Sequence, residues 1–195
     1  MATQKAKFNS QQAYKLALKI ADAWYCTQAL SWVARYANDD HFDKFIRRAC
    51  QASFSDSDPY KIVGSSAWVI RAIIERKKYQ YIDPYLPKLL TVSSTISNPV
   101  CRGDALFLQY QAIFPISKKS NKQLQLVLAN LLSACRDMNS WKKPLIIRNT
   151  ALIMGNKDLG QAFTIVNELS EGRVKRQVQK YLSEKKFLSP RDFFW

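Results

Sequence analysis

DDHFDKFIRRAC, residues 39–50, has the pattern expected for the second helix of a helix pair, and similar segments return three times along the chain. The later segments are YQYIDPYLPKLL at 79–90, KKSNKQLQLVLANLL at 118–132 and NKDLGQAFTIVNEL at 156–169. Their starts are therefore 40, 39 and 38 residues apart. A constant period of this length is typical of stacked helix pairs. The sequence predicts an all-α fold, a right-handed α-solenoid of about four helix pairs.

The repeat period also sets the predicted organisation of the chain, a single domain over residues 1–195. Helix pairs are predicted at 25–55, 59–96, 99–138 and 141–170, with flanking helices at 9–24 and 172–186. Asp39 or Asp40 is the predicted N-cap of a second helix, Pro59 suits a first helical turn and Gly155 suits a helix end. No stretch alternates apolar and polar residues as a strand would.

The charge balance is strongly positive, which narrows the class of partner. The chain has 30 Lys and Arg against 15 Asp and Glu, a formal net charge of +15. A charge of this size attracts polyanions, which include nucleic acid, an anionic membrane surface and an acidic protein. The alternative is that the charge only keeps the protein in solution.

Motifs for catalysis, metal binding or cofactor binding are missing from the sequence. The cysteines Cys26, Cys50, Cys101 and Cys135 are far apart and fall in helical apolar patterns, so buried free thiols are expected in place of a zinc site. No P-loop or G-x-G-x-x-G loop occurs, and no nucleophile elbow accompanies the single histidine, His41. We therefore expect no cofactor, no metal and no catalytic residue.

Targeting segments are not recognisable either. No apolar run approaches the roughly 18 residues of a membrane-spanning helix. The first residues, MATQKAKFNSQQ, lack an apolar core and a cleavage pattern of small residues, so they do not predict a secretory signal. The sequence predicts a cytoplasmic protein with no transmembrane segment.

Prolines near helix starts give the repeats a family resemblance. They occur in DPYKIVGSSAW at 58–68 and in YIDPYLPKLL at 81–90, while Arg71 and Arg148 fall late in first helices. Over roughly residues 20–170, this pattern resembles that of HEAT-type repeat proteins. The resemblance implies that the second helices line a concave face and that partners bind there.

A weaker similarity connects the chain to HEAT-like DNA alkylation repair glycosylases. The similarity lies in size and charge, and those enzymes grip duplex DNA in a basic groove with tryptophans and a carboxylate near the lesion. By that resemblance, Asp22 beside Trp24, or Asp104, would supply the carboxylate. We assign no catalytic residue from it.

Basic side chains concentrate in two predicted places. The turns between first and second helices carry Lys77, Lys78, Lys118, Lys119 and Lys122, which would form a basic ridge along one edge. The second helices add Arg47, Arg48 and Lys88. Such residues can neutralise phosphates or carboxylates. The alternative is that they only solvate the edge of the fold.

Aromatic residues are the second candidate feature for binding. Trp141 stands at a helix start beside Lys142 and Lys143, where an exposed ring next to positive charge would contact a base or a protein partner. The terminal segment FLSPRDFFW, residues 187–195, either forms a further exposed apolar patch or folds back as a cap.

These features favour a non-enzymatic binding or adaptor module whose basic surface recognises an acidic partner, with protein preferred. The first alternative is a nucleic-acid-binding protein, with a HEAT-like DNA glycosylase as its specific case. A third hypothesis, an assembly factor or an immunity-type inhibitor of one protein, uses the same surface. All three hypotheses expect a negatively charged partner.

Overall fold

A computed structural model describes residues 6–116 and 121–194, and within these ranges the protein is all-helical without a strand. The helices are α1 (Ser10–Ala17), α2 (Ala23–Tyr36), α3 (Asp39–Ser53), α4 (Pro59–Glu75), α5 (Ile82–Ser94), α6 (Pro99–Ile113), α7 (Asn121–Arg136), α8 (Lys142–Met154), α9 (Leu159–Val166) and α10 (Arg173–Ser183). A 3₁₀ turn at Tyr79–Tyr81 precedes α5. The predicted all-α class is confirmed for this part of the chain.

Short polar side chains start most of these helices. Asn or Asp accepts a backbone N–H bond at the N-cap of α1, α2, α3, α4, α6 and α9. Such caps satisfy amide groups that have no partner inside the helix. Pro59 opens α4 and Gly155 ends α8, as predicted.

Two sequence predictions of helix bounds are wrong. The N-cap of α3 is Asn38, which accepts from the His41 amide at 3.2 Å, while Asp39 and Asp40 occupy the first helical turn. Carboxylates are also favourable there because the helix dipole is positive at that end. The predicted helix at 9–24 ends at Ala17, and a new helix begins after Asp22, which caps it by accepting from the Tyr25 amide at 3.0 Å.

The helices associate as consecutive pairs. α2 packs on α3, α4 on α5, α6 on α7 and α8 on α9. The first helices of the pairs also pack in series, α2 on α4, α4 on α6 and α6 on α8, while α1 covers α2 and α10 covers α8 and α9. The first helices are therefore the central layer against which the second helices are held.

Polar contacts between pairs recur at about the sequence period. Arg76 pairs with Asp39 at 2.8 Å, and Lys142 pairs with Asp104 at 2.5 Å. The Tyr110 hydroxyl donates to the Thr150 carbonyl at 3.1 Å. Each contact joins residues 37 to 40 positions apart, so equivalent places in neighbouring pairs are tied together.

The core is formed mainly by the inner faces of the first helices and the apolar stripes of the second. Trp32 and Trp68 are buried in it. Gly64 of α4 allows the ring of Trp24 in α2 to approach closely, since a Cβ atom there would lie 2.7 Å from the ring. None of the described helices has the length and apolarity needed to cross a membrane.

The chain after α10 folds back over the first helices, and we call residues 187–194 the C-terminal strap. The Leu188 amide donates to the Leu152 carbonyl of α8 at 3.2 Å, and the Arg191 amide donates to the Gln111 side chain of α6 at 3.0 Å. The Trp68 indole of α4 donates to the Phe193 carbonyl at 3.0 Å. The strap thus crosses α8, α6 and α4 in turn.

The strap ends beside α2, where the Phe194 ring lies 5.2 Å from that of Trp32. Phe193 is only 1% exposed and Phe194 is half-buried, while Trp195 lies outside the described residues. Of the two predicted arrangements of the tail, folding back is therefore confirmed and an exposed patch at Phe193 and Phe194 is wrong.

Candidate functional site

A groove of about 550 Å³ lies between α3 and α5, the second helices of the first two pairs. Both helices pack on α4, which supports the groove from below. Its walls are Arg47, Cys50, Gln51 and Phe54 from α3 and its C-terminal end, and Tyr81, Pro84, Tyr85 and Lys88 from α5 and the preceding turn. The volume falls within the range of about 300–1,000 Å³ that is usual for ligand sites.

The lining residues of the two walls follow the same spacing along their helices. Residues 47, 50, 51 and 54 stand at i, i+3, i+4 and i+7, and so do residues 81, 84, 85 and 88. This spacing places side chains on one face of a helix. Each helix thus presents one four-residue stripe to the groove.

The inner part of the groove is aromatic, and its polar groups are already engaged. The Tyr85 hydroxyl donates to Ser66 of α4 at 2.8 Å and shares a hydrogen bond of 2.7 Å with Ser53 of α3. Burial raises the pKa of Tyr85 well above its ordinary value. The Phe54 ring meets the Tyr85 ring edge-on, with centroids 5.7 Å apart. Tyr85 therefore offers hydrocarbon to the groove and keeps its hydroxyl inside.

Cys50 contributes a neutral thiol to this surface. Burial raises the pKa of Cys50 to about 12, although the positive charges of Arg47 and Lys88 act in the opposite direction. Arg47 and Lys88 line the groove together with this thiol. A protonated thiol behaves as a small apolar group.

The outer part of the groove carries the charge. Arg47 is 68% exposed and pairs with Asp43 one helical turn earlier at 3.0 Å, while the Tyr81 hydroxyl donates to the same carboxylate. The Tyr81 hydroxyl and the Arg47 guanidinium hold the pKa of Asp43 below its usual range. Lys88 is exposed on the opposite wall. Arg48 lies next to the groove and donates to the Gln51 side chain at 3.2 Å.

The predicted basic ridge is only partly a free positive surface. Lys78 pairs with Asp39 at 3.2 Å, and Lys78 followed by Arg76 lowers the pKa of that carboxyl. Lys77 and Lys122 are exposed. Lys118 and Lys119 lie outside the described residues.

The predicted cluster at the start of α8 is separate from the groove. Trp141 is 74% exposed, as the sequence predicts. Lys142 pairs with Asp104, and that carboxylate raises the pKa of Lys142. Lys143 lines a different cavity of about 300 Å³, to which Glu168 and Glu171 also contribute. Acidic side chains thus accompany both lysines.

Sequence reasoning did not single out the apolar part of the groove. Tyr81 and Tyr85 are visible as tyrosines near Lys77 and Lys78, but Phe54 and Cys50 read as ordinary core residues at helical spacing. The available signal is the matching i, i+3, i+4, i+7 stripe in both segments. It has meaning only once α3 and α5 are known to face one groove.

The residues considered for catalysis take structural roles. Asp22 is the N-cap of α2, and Asp104 is paired with Lys142. The Trp24 ring stacks on Tyr60 with centroids 6.2 Å apart. Over the described ranges, no three His, Cys, Asp or Glu side chains gather as metal ligands would.

No protein-family model, no curated protein and no solved structure matches this chain. The resemblance to HEAT-type repeats stays a prediction from the sequence pattern. The chemistry of the groove and of the surfaces around it is therefore what indicates the function.

Proposed function

We propose that this protein is a non-enzymatic binding module that recognises an acidic protein partner through the groove between α3 and α5. The observation that carries the proposal is the placement of Arg47 and Lys88 on opposite walls of an aromatic groove. Cations beside apolar surface suit a partner that presents carboxylates together with apolar side chains.

The wider architecture belongs to the same proposal: a right-handed α-solenoid of four HEAT-like pairs with flanking helices. Its support is the serial packing of α2, α4, α6 and α8, with one second helix held on each. Repeat arrays of this kind present extended surfaces to partners. The second helices α3 and α5 would then belong to one binding face.

The distribution of acidic residues favours protein over nucleic acid as the partner. Asp39, Asp104 and Glu168 each pair with a basic residue that would otherwise face a polyanion. A nucleic-acid surface needs several unpaired cations in a row, since each phosphate contact contributes separately through counterion release. A protein partner needs only a few well-placed charges.

Selection from a displayed library of random peptides tests this proposal. We expect enrichment of acidic peptides whose binding is lost with Arg47→Glu or Lys88→Glu and kept with Arg176→Glu. Arg176 is an exposed residue of α10 and serves as the matched charge reversal away from the groove. Selected peptides without acidic residues, or equal loss in all three variants, would contradict the proposal.

Nucleic-acid binding is the alternative, and the exposure of Trp141, Lys77 and Lys122 favours it. Labelled duplex and single-stranded DNA and RNA, titrated across a salt series, distinguish it. Tight binding at physiological salt, with a log–log slope of about −0.9 per phosphate contact on duplex DNA, would replace the protein partner by nucleic acid. A base-excision assay would then test glycosylase activity.

A further inference from the structure

We infer that the groove between α3 and α5 takes an acidic segment that inserts an aromatic side chain between two carboxylates. This inference rests on the proposed function and specifies the partner's chemistry at the same site. It follows from where the charges, the rings and the engaged hydroxyl lie along the groove.

The two cations mark opposite ends of the groove. The Arg47 guanidinium lies 5.9 Å from the Tyr81 ring centroid, at the end where both four-residue stripes begin. Phe54 meets Tyr85 further along, and Lys88 follows one turn later on α5. Seven helical residues span about 10 Å. A ligand lying along the groove therefore meets positive charges about 10 Å apart.

The space between these charges is suited to a ring. Tyr85 and Phe54 present ring surface, and the neutral thiol of Cys50 adds a polarisable sulfur atom. The Tyr85 hydroxyl is engaged with Ser53 and Ser66, so it is not directed to a ligand. Aromatic side chains pack favourably edge-on or offset against other rings and against sulfur. A bound aromatic ring would continue the edge-on pair already present.

The charge spacing defines a short sequence pattern for the partner. In an extended segment, residues i, i+2 and i+4 lie on one face at about 3.3 Å per residue. Two glutamates that flank a tryptophan at these positions have carboxylates roughly 13 Å apart, which the flexible Arg47 and Lys88 side chains can reach. A labelled peptide with this pattern, separated by glycines, is therefore the probe.

Fluorescence anisotropy of this peptide with the full chain tests the inference. We expect binding that weakens at least tenfold when the tryptophan is replaced by glycine, and at least tenfold when both glutamates become glutamines. We also expect Gln51→Trp to weaken binding at least tenfold, because the new ring fills the groove without changing its charge. Gln177→Trp, which adds the same ring at an exposed position of α10 outside the groove, should bind as the wild type does.

The variants separate failure of this inference from failure of the proposed function. If Lys88→Glu abolishes binding while Gln51→Trp and the glycine peptide bind normally, charge recognition stands and ring insertion is overturned. If the peptide does not bind and the library yields no acidic ligand, the proposed function is overturned with it. Circular dichroism confirms that each variant remains helical.

Discussion

Cys50 is a groove residue whose thiol burial keeps neutral. Its pKa of about 12, raised by burial, leaves about one thiolate in ten thousand at pH 8. We expect iodoacetamide to label Cys50 much more slowly in the folded protein than in urea, with the rate rising as the pH increases. Peptide mass spectrometry measures this directly. Equal rates in the two states at pH 8 would contradict the neutral thiol.

Gly64 tests the close approach of α2 and α4 at a single position. In Gly64→Ala the added methyl group would meet the rigid Trp24 ring at 2.7 Å, so we expect a loss of about 1–3 kcal/mol in the free energy of unfolding. Gly160→Ala, at an exposed position of α9, is the control, since alanine stabilises an open helical site by up to about 1 kcal/mol. Urea unfolding of both variants measures the difference, and similar values would disprove the contact.

At the scale of elements, one hydroxyl ties three helices together. Tyr85 of α5 bonds to Ser53 of α3 and Ser66 of α4, and Tyr85→Phe would leave both serines without that partner. We expect a loss of about 1–3 kcal/mol in unfolding free energy. Tyr60→Phe, at a half-buried tyrosine outside the groove, provides the comparison. If Tyr85→Phe leaves the free energy of unfolding unchanged, these hydrogen bonds do not hold α3 and α5 on α4.

The buried thiol of Cys50 and the buried hydroxyl of Tyr85 also predict how the free energy of unfolding changes with pH. Burial raises the pKa of Cys50 to about 12 and moves that of Tyr85 upward as well. Both groups are favoured neutral in the fold, so their contribution is complete below about pH 9 and is lost as the pH rises above it. For Cys50 alone, the free energy of unfolding falls by about 4 kcal/mol between pH 9 and pH 12. Urea midpoints from pH 7 to 11 should fall, and fall less in Cys50→Ala.

At the scale of the whole molecule, the C-terminal strap connects the first helices of the pairs. We expect Phe193→Ala to lower the unfolding free energy by about 3–5 kcal/mol, because the ring is buried against Trp68. Binding at the groove should be unchanged, since the groove is lined by α3 and α5 and the strap contacts the first helices. Leu188→Ala, at an exposed strap position, is the control. Loss of binding without loss of stability would contradict this division of roles.

Much of the fold could be predicted from local sequence. Apolar spacing and prolines predict the helices, since helix formation depends on residues three and four apart. Pro59 and Gly155 mark their ends as expected. The exact N-cap is harder to predict, because adjacent polar residues can each start a helix. The N-cap of α3 is Asn38 and not the predicted Asp39 or Asp40.

The candidate site was predictable only in part. Arg47, Arg48 and Lys88 could be proposed because charges on second helices are visible in the sequence. The pairing of Lys78 with Asp39 could not be predicted, because the two residues are 39 positions apart and meet only when the helices pack.

By itself, the sequence determined the helical class, the forty-residue period and the positive charge, since each follows from composition or from neighbours within a few turns. The tertiary structure alone decided the strap and the groove. The strap depends on a contact between Trp68 and Phe193, 125 residues apart. The groove depends on two stripes 34 residues apart facing each other across α4. Long-range packing, which no local pattern encodes, brings these surfaces together.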